Sequence, residues 1–439
     1  MKLYFDYKKL FNIILLIFLF LLPVVFLRAQ TATDIQNQIN QKNADINKLQ
    51  QEIASYQTQL DSLGQQKNSL NSSLEELDLN RSKLNANIAL TQIKINQTNL
   101  TIQNLSSDIG NKEDSIKTDT DSISLEIRNT NESEQNSLLE DLLSQNDFTL
   151  IWNDVDTMAT VSEKLRQNII NLNQVKTALE NTKQQTVDAK NELTTLQSQL
   201  SDQQKIVTQN INDKNLLLKQ TKNNEANYQK LLKDRLAKKD AVEKELENYE
   251  SQLKFILDPS KLPQSRVLSW PLSKIYVTQL FGKTVDSKRL YVSGTHNGVD
   301  FRASTGTPVM AMADGTVLGT GNTDLTCPGA SFGKFVFIKY NNGLSSTFGH
   351  LSLIKSNVGD IVKTGDVVGY SGATGYVTGP HLHVSLYASA AVKMATMPSA
   401  ACSGHTYTLP VSAVNAYLNA LDYLPPYTIN TSILNNQAD

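Results

Sequence analysis

The sequence predicts a multidomain chain: a long antiparallel α-helical coiled coil followed by a compact, mainly antiparallel β domain. Three observations predict it. Between Thr31 and Asp258 there is no proline, and glycine occurs only at Gly64 and Gly110. Over the same stretch apolar residues recur at alternating steps of three and four, the spacing that lines one face of a helix. Composition then inverts: all but two of the 20 glycines lie between Gly282 and Gly404, among short β-branched runs.

The apolar seam runs through Ile35, Ile39, Ile46, Leu49, Ile53, Tyr56, Leu60 and Leu63, continues at Leu70, Leu74, Leu77, Leu84 and Ile88, and resumes from Ile102 to Ile123. Asn, Gln, Ser, Lys and Asp fill the other faces, so the helix is solvated on most sides and must bury its stripe against a partner. A second run, roughly Val161 to Leu257, supplies that partner within the chain. The two runs flank a denser apolar segment, Leu138-Leu139 to Phe148-Thr149-Leu150-Ile151-Trp152. This segment reads as the tip of a hairpin spanning 31–257, with the tip near 138–158. A parallel coil between two copies is the alternative. Asp258-Pro259 and Leu262-Pro263 end the helices, because proline cannot continue one and constrains the residue before it. A linker over 258–269 and a β domain over 270–439 follow, with a C-terminal extension from about 392. Phe335-Val336-Phe337-Ile338 and Val384-Ser385-Leu386, bounded by glycine turns, typify its strands.

Lys2, Lys8 and Lys9 precede an apolar run from Leu10 to Leu27. Residues 1–30 therefore read as an export signal, with Ala29 as the last residue before cleavage, or as a retained membrane anchor at 10–27. Either way the positive flank places the remainder outside the cytoplasm. In that oxidising setting the two cysteines, Cys327 and Cys402, favour a disulfide, with two free buried thiols as the alternative. Lys and Arg together (41) nearly balance Asp and Glu (43), so no bulk charge draws the chain to nucleic acid.

Histidine carries the functional signal. The chain has five, none before His296, and four fall into three signatures: His296-x-Gly298-x-Asp300, Phe348-Gly349-His350-Leu351 and His381-x-His383. A hydrolytic zinc site takes three ligands from His, Asp or Glu and keeps a fourth position for water. His381-Leu382-His383 is strand-like, and residues two apart on a strand share a face. Gly294 and Gly298 argue against a helix at His296…Asp300, where a glycine-permitted turn brings both side chains together instead. His405 matches no motif and reads as an ordinary loop histidine. Each signature alone is weak; their conjunction in one domain is not.

Together with Gly379-Pro380 before His381, and with Trp270-Pro271, Phe281-Gly282, Gly306-Thr307-Pro308-Val309 and Gly369-Tyr370-Ser371-Gly372, these signatures resemble the M23 (LytM or lysostaphin-type) peptidoglycan metalloendopeptidases over about Trp270 to Tyr387. With the coiled coil in front, the whole chain resembles EnvC-like murein hydrolases and hydrolase activators. The resemblance implies one zinc ion per chain held by His296, Asp300 and His383, with His350 and His381 as the catalytic histidines. It implies hydrolysis of peptide cross-links in peptidoglycan, in cell separation or wall remodelling, and a membrane or division-complex protein as partner of the coil. The alternative function is a non-enzymatic activator of another hydrolase; such activators usually lack some of these histidines, and this chain lacks none. The chain departs from the family in a cysteine-bearing loop, Asn322 to Ser331, which a Cys327–Cys402 bridge would staple to the tail beside the substrate groove. The coil reads as a spacer, or as a regulator whose helix covers the groove.

Overall fold

The computed structural model describes residues 32–63, 69–134, 148–253, 262–284, 293–399 and 404–427, together with Phe255, Asp258, Ser260, Ser287, Ala401 and Cys402. The leader and its Leu10–Leu27 run lie outside these residues, as does the first part of the tip, Leu138 to Asp147. Among the described residues no helix is long and apolar enough to cross a membrane.

Among the described residues four long helices precede the β domain: α1 (Ala32–Leu63), α2 (Leu70–Glu134), α3 (Phe148–Thr221) and α4 (Glu225–Gln252). The seam residue Leu63 is the last of α1 and Leu70 the first of α2. The Ser69 hydroxyl accepts from the Ser72 N–H, as a helix N-cap does. A break separates α3 from α4, where Lys222 (φ 50°) and Asn223 (φ 53°) take left-handed conformations. Asn224 then caps α4 by accepting from the N–H groups of Ala226 and Asn227. That break involves no glycine or proline, so periodicity alone runs through it.

The chain divides into two compact units, 1–43 with 97–190, and 44–96 with 191–439. Within the first unit, Asn168 of α3 donates to Glu126 of α2 at 3.1 Å, Lys183 pairs with Glu113 at 2.8 Å, and Gln97 of α2 donates to Asn43 of α1 at 2.9 Å. Within the second, Lys214 reaches Asp78 at 2.6 Å and Lys83 reaches Gln57 at 2.5 Å. As partner numbers rise on one helix they fall on the other, so α2 pairs antiparallel with α1 and with α3 inside one chain.

The second unit also holds the β domain, with strands β1 (Val277–Gln279), β2 (Val299–Arg302), β3 (Pro308–Met310), β4 (Gly315–Asn322), β5 (Lys334–Tyr340), β6 (Leu344–Ile354), β7 (Ile361–Val362), β8 (Val367–Ser371), β9 (His381–Ala388), β10 (Val392–Ser399), β11 (His405–Ser412) and β12 (Tyr417–Leu418). The main sheet is antiparallel, in the order β1-β2-β9-β6-β5-β4-β7, with β8 bridging β3 and β6 and β12 added to β9. β10 and β11 form a separate hairpin. The core is the alternating inner face of these strands: Val299, Phe301, Val317, Val336, Ile338, Phe348, Leu382 and Val384 are all 0% exposed. A disulfide joins the buried Cys327 to the half-buried Cys402 and ties the β4–β5 loop to the β10–β11 hairpin.

Seam residues of the helices are shared with this domain. Leu84 of α2 and Ile206 of α3 pack on Tyr370, whose hydroxyl donates to Asp202 at 3.0 Å. Val242 of α4 joins a cluster with Phe332, Phe335, Tyr407, Leu409 and Val411, against which Leu246, Tyr249 and Leu253 pack. The last turns of the heptad stripe therefore bury themselves on the β domain.

Candidate metal centre

The central strands β2, β9 and β6 set the site. Asp300 on β2 lies directly opposite His383 on β9, and His383 opposite Gly349 on β6. His296 precedes β2 and is tied by backbone hydrogen bonds to Gly282. Its Nε2 lies 3.3 Å from Asp300 Oδ1 and 3.2 Å from His383 Nδ1, and His383 Nδ1 lies 2.9 Å from Asp300 Oδ1. All three residues are buried, and each offers one ligand atom to a common point.

The residues outside the trio fix which nitrogen is free. His296 Nδ1–H donates to the Leu280 carbonyl at 2.9 Å, so its Nε2 carries the lone pair. His383 Nε2 lies 2.8 Å from the Ser385 hydroxyl; with its proton on that side, Nδ1 can serve as a ligand atom. Each member of the trio thus offers one nitrogen or oxygen able to bind a cation. Donors about 2.0–2.1 Å from a tetrahedral ion sit about 3.3 Å apart. The observed spacings fit a zinc-type ion, and the backbone carbonyl and the hydroxyl behind the imidazoles are the supports that metal-binding histidines use.

Electrostatics agrees with an anion among imidazoles. Burial works to raise the Asp300 carboxyl, but His296, then His381, and the bonds from His296 and His383 outweigh it and hold it well below the usual carboxylate range. Burial opposes charge on His296, yet Asp300 overcomes it and moves that imidazole up. For His383 burial prevails over Asp300, and its pKa falls.

Two further histidines flank the trio. His381 enters on the same face of β9 as His383, with Nε2 3.7 Å from Asp300 Oδ1 and Nδ1–H on the Gly379 carbonyl at 2.9 Å. His350 sits at a bulge, where the β5–β6 register slips between Lys334 and Val336. Its φ of 61° is left-handed, a conformation uncommon for a residue with a β-carbon and found at functional bulges. The bulge turns the imidazole to within 4.7 Å of the His381 ring. Its Nδ1–H donates to the Thr374 carbonyl at 2.9 Å, leaving Nε2 unprotonated. Burial, then His381 and His383, hold the His350 pKa well below the ordinary range, so it is neutral at pH 7.

These groups open on a cleft of about 290 Å³ whose walls include Asp300, His350, His381, His383, Phe332 and Tyr376. Gln279, on β1, also lines it, and its side-chain Nε2 is buried without a hydrogen-bond partner. Residues of α4 complete the wall.

Residues 294–394 match the model of peptidase family M23. The chain carries an M23 domain. Its relatives include the glycyl-glycine endopeptidase ALE-1 of Staphylococcus capitis, 42% identical over 91 residues. The peptidoglycan DD-endopeptidase ShyA of Vibrio cholerae is also 42% identical over 91 residues, and the DD-carboxypeptidase/endopeptidase Mpg of Neisseria meningitidis 40% over 88. These stretches cover 20%, 21% and 20% of this chain and 24%, 20% and 19% of those relatives, so the chain spans about a quarter or less of their length.

All five histidine and aspartate positions singled out in the sequence gather in the M23 domain around one point. His405 opens β11 as an exposed residue. Sequence reasoning missed the supports: the Leu280, Thr374 and Gly379 carbonyls carry no residue-type signal, and Ser385 is an ordinary strand serine by composition. Its spacing two beyond His383, on the same strand face, is the one signal that marks it. The α4 wall is also invisible to motif reading.

Proposed function

We propose that the chain is a zinc-dependent endopeptidase that hydrolyses peptide cross-links of cell-wall peptidoglycan outside the cytoplasm. The convergence of His296 Nε2, Asp300 Oδ1 and His383 Nδ1 within 3.3 Å of one another carries this reading. These three atoms would hold the ion, with Leu280 and Ser385 orienting the two imidazoles. Bound there, zinc supplies a cation that lowers the pKa of water towards 7 and polarises a carbonyl. His350 and His381 are the catalytic histidines: each spends its Nδ1 proton on a backbone carbonyl and presents Nε2 for proton transfer and for steadying negative charge. Gln279 Nε2 offers a donor to a peptide carbonyl in the cleft. The relatives' peptidoglycan endopeptidase activity supports the substrate class. A role in cell separation or wall remodelling follows, with the leader delivering the protein to the wall or anchoring it there, and the coiled coil engaging a membrane or division-complex protein.

The test is digestion of purified peptidoglycan, reading new peptide amino and carboxyl termini by mass spectrometry. Metal-replete full-length protein should release them, chelated protein should not, and the His383→Ala variant should release none. Release of another hydrolase's products only, and only when that hydrolase is added, would assign the chain to the activator class instead.

A further inference from the structure

The cysteine-bearing β4–β5 loop backs onto His350, whose N–H donates to the Phe332 carbonyl at 2.7 Å. The loop is closed on itself. The Thr323 N–H donates to the Gly333 carbonyl at 2.9 Å, the Gly333 N–H to the Thr323 hydroxyl at 2.8 Å, and that hydroxyl to the Ala330 carbonyl at 2.6 Å. Two further links hold it to the β10–β11 hairpin: the Cys327–Cys402 disulfide, and the Thr326 hydroxyl donating to the Thr406 carbonyl at 3.1 Å. A loop tied at its neck and at its crown has few conformations left, so a side chain mounted on it has a fixed aim.

Asp324 is that side chain. Its Oδ1 accepts from the Gly329 N–H at 2.7 Å within the loop, and its Oδ2 reaches across to accept from the Gly375 N–H at 2.8 Å in the β8–β9 loop. The Asn322 side chain accepts from the Asp324 N–H at 3.1 Å. Gly375 follows Thr374, whose carbonyl takes the Nδ1 proton of His350 at 2.9 Å. The Thr374 carbonyl and the Gly375 N–H belong to one peptide unit, which is planar and stiff. A carboxylate that accepts at one end of such a unit draws charge towards the carbonyl at the other end and strengthens the bond made there. The neighbouring contacts hold the two loops in register. A β-carbon on either Gly333 or Gly375 would collide with the backbone of the other, and the Tyr376 N–H donates to the Ser331 carbonyl at 3.2 Å.

We infer that Asp324 is a positioning residue for His350, acting through the Thr374–Gly375 peptide unit: the carboxylate fixes and polarises that unit, which keeps the imidazole proton on Nδ1 and leaves Nε2 to the cleft. This rests on the proposed hydrolase reading and names a residue on which its proton transfer depends. The arrangement does what a carboxylate bonded directly to a catalytic histidine does, with one peptide unit interposed. It also gives the cysteine-bearing loop a task in the chemistry, although no side chain of 323–327 lines the cleft.

The experiment uses the zinc-loaded full chain, unaltered and carrying Asp324→Ala or the milder Asp324→Asn, which keeps the shape but not the charge. Nitrogen NMR of the histidine-labelled protein reads which imidazole nitrogen of His350 holds the proton, with His350→Gln assigning the signals. Cross-linked muropeptides prepared from purified peptidoglycan give kcat and KM separately, and metal analysis gives the zinc content. In the unaltered chain the His350 proton should sit on Nδ1. In Asp324→Ala it should spread to Nε2 and kcat should fall by at least about tenfold, part of the 10²–10⁴ that a placed acid–base group supplies. KM and zinc content should stay unchanged, and Asp324→Asn should move kcat and the tautomer the same way, less far. If Asp324→Ala does not fold, Asp324→Asn carries the test. An unchanged tautomer or an unchanged kcat would overturn the inference, as would a fall in kcat matched by loss of zinc. Should the unaltered chain cut no muropeptide, the hydrolase reading fails, and the nitrogen signals alone decide whether Asp324 holds His350.

Discussion

A β-carbon on Gly298 would lie 2.5 Å from Cε1 and 2.6 Å from Nε2 of His383, with the Val384 carbonyl 2.7 Å away. The middle residue of His296-x-Gly298-x-Asp300 is therefore glycine because the His383 ring occupies the space. Gly298→Ala should displace that ring and weaken zinc binding by at least about tenfold, read by competition with a chromophoric chelator. Ser385→Ala removes the hydroxyl behind His383 and should cost about 10–100-fold in metal affinity while the fold persists, since such supports typically carry that much. His381→Ala separates the roles: it should keep the metal and lose peptide release, whereas His383→Ala should lose both. Equal metal loss in the two variants would contradict the assignment. The residue types and spacings of the motifs were legible in the sequence, because few side chains can bind zinc. The supports were not, since a carbonyl oxygen belongs to every residue.

At the scale of elements, the same apolar periodicity that announced the coiled coil also hid the packing of α4 on the β domain. A stripe at steps of three and four states that a helix must bury one face, and not against what. The break at 222–224 was illegible for a related reason: polar residues cap a helix without interrupting the pattern on either side. Glu250 gives α4 a measurable pH response. Burial, the largest cause, pushes its carboxyl up to about 7 against the bonds from Tyr417 and Ser412, and Glu247 on the same helix adds to the rise. Tyr387 of β9 is the other titratable group facing it. The packed form thus prefers protonated Glu250, while a detached α4 returns it to the ordinary range near 4.3. The contact of α4 with the β domain is at full strength below that range and weakens as pH rises from there to about 7, by on the order of 4 kcal/mol at most. Exchange over 239–250, corrected for intrinsic rates, should be faster at pH 8 than at pH 5. Glu250→Gln should flatten this dependence; an unchanged profile would remove Glu250 from the account.

For the molecule as a whole, the boundary between helices and β domain was readable because composition changes abruptly, from proline-free and nearly glycine-free to glycine-rich. The Cys327–Cys402 bridge, 75 residues apart in sequence, closes a long loop, and replacing both cysteines with alanine should cost about 2–4 kcal/mol of β-domain stability. Denaturant titration of the full chain, followed at Trp270, checks this. The central claim is that two imidazoles and a carboxylate hold one zinc ion that cuts peptide bonds. Its most direct test is digestion of purified peptidoglycan by the metal-replete full chain, with and without chelator. The account predicts new peptide amino and carboxyl termini in stoichiometric pairs, abolished by chelation and restored by zinc. Termini that appear equally under chelation, or none with zinc bound, would contradict it.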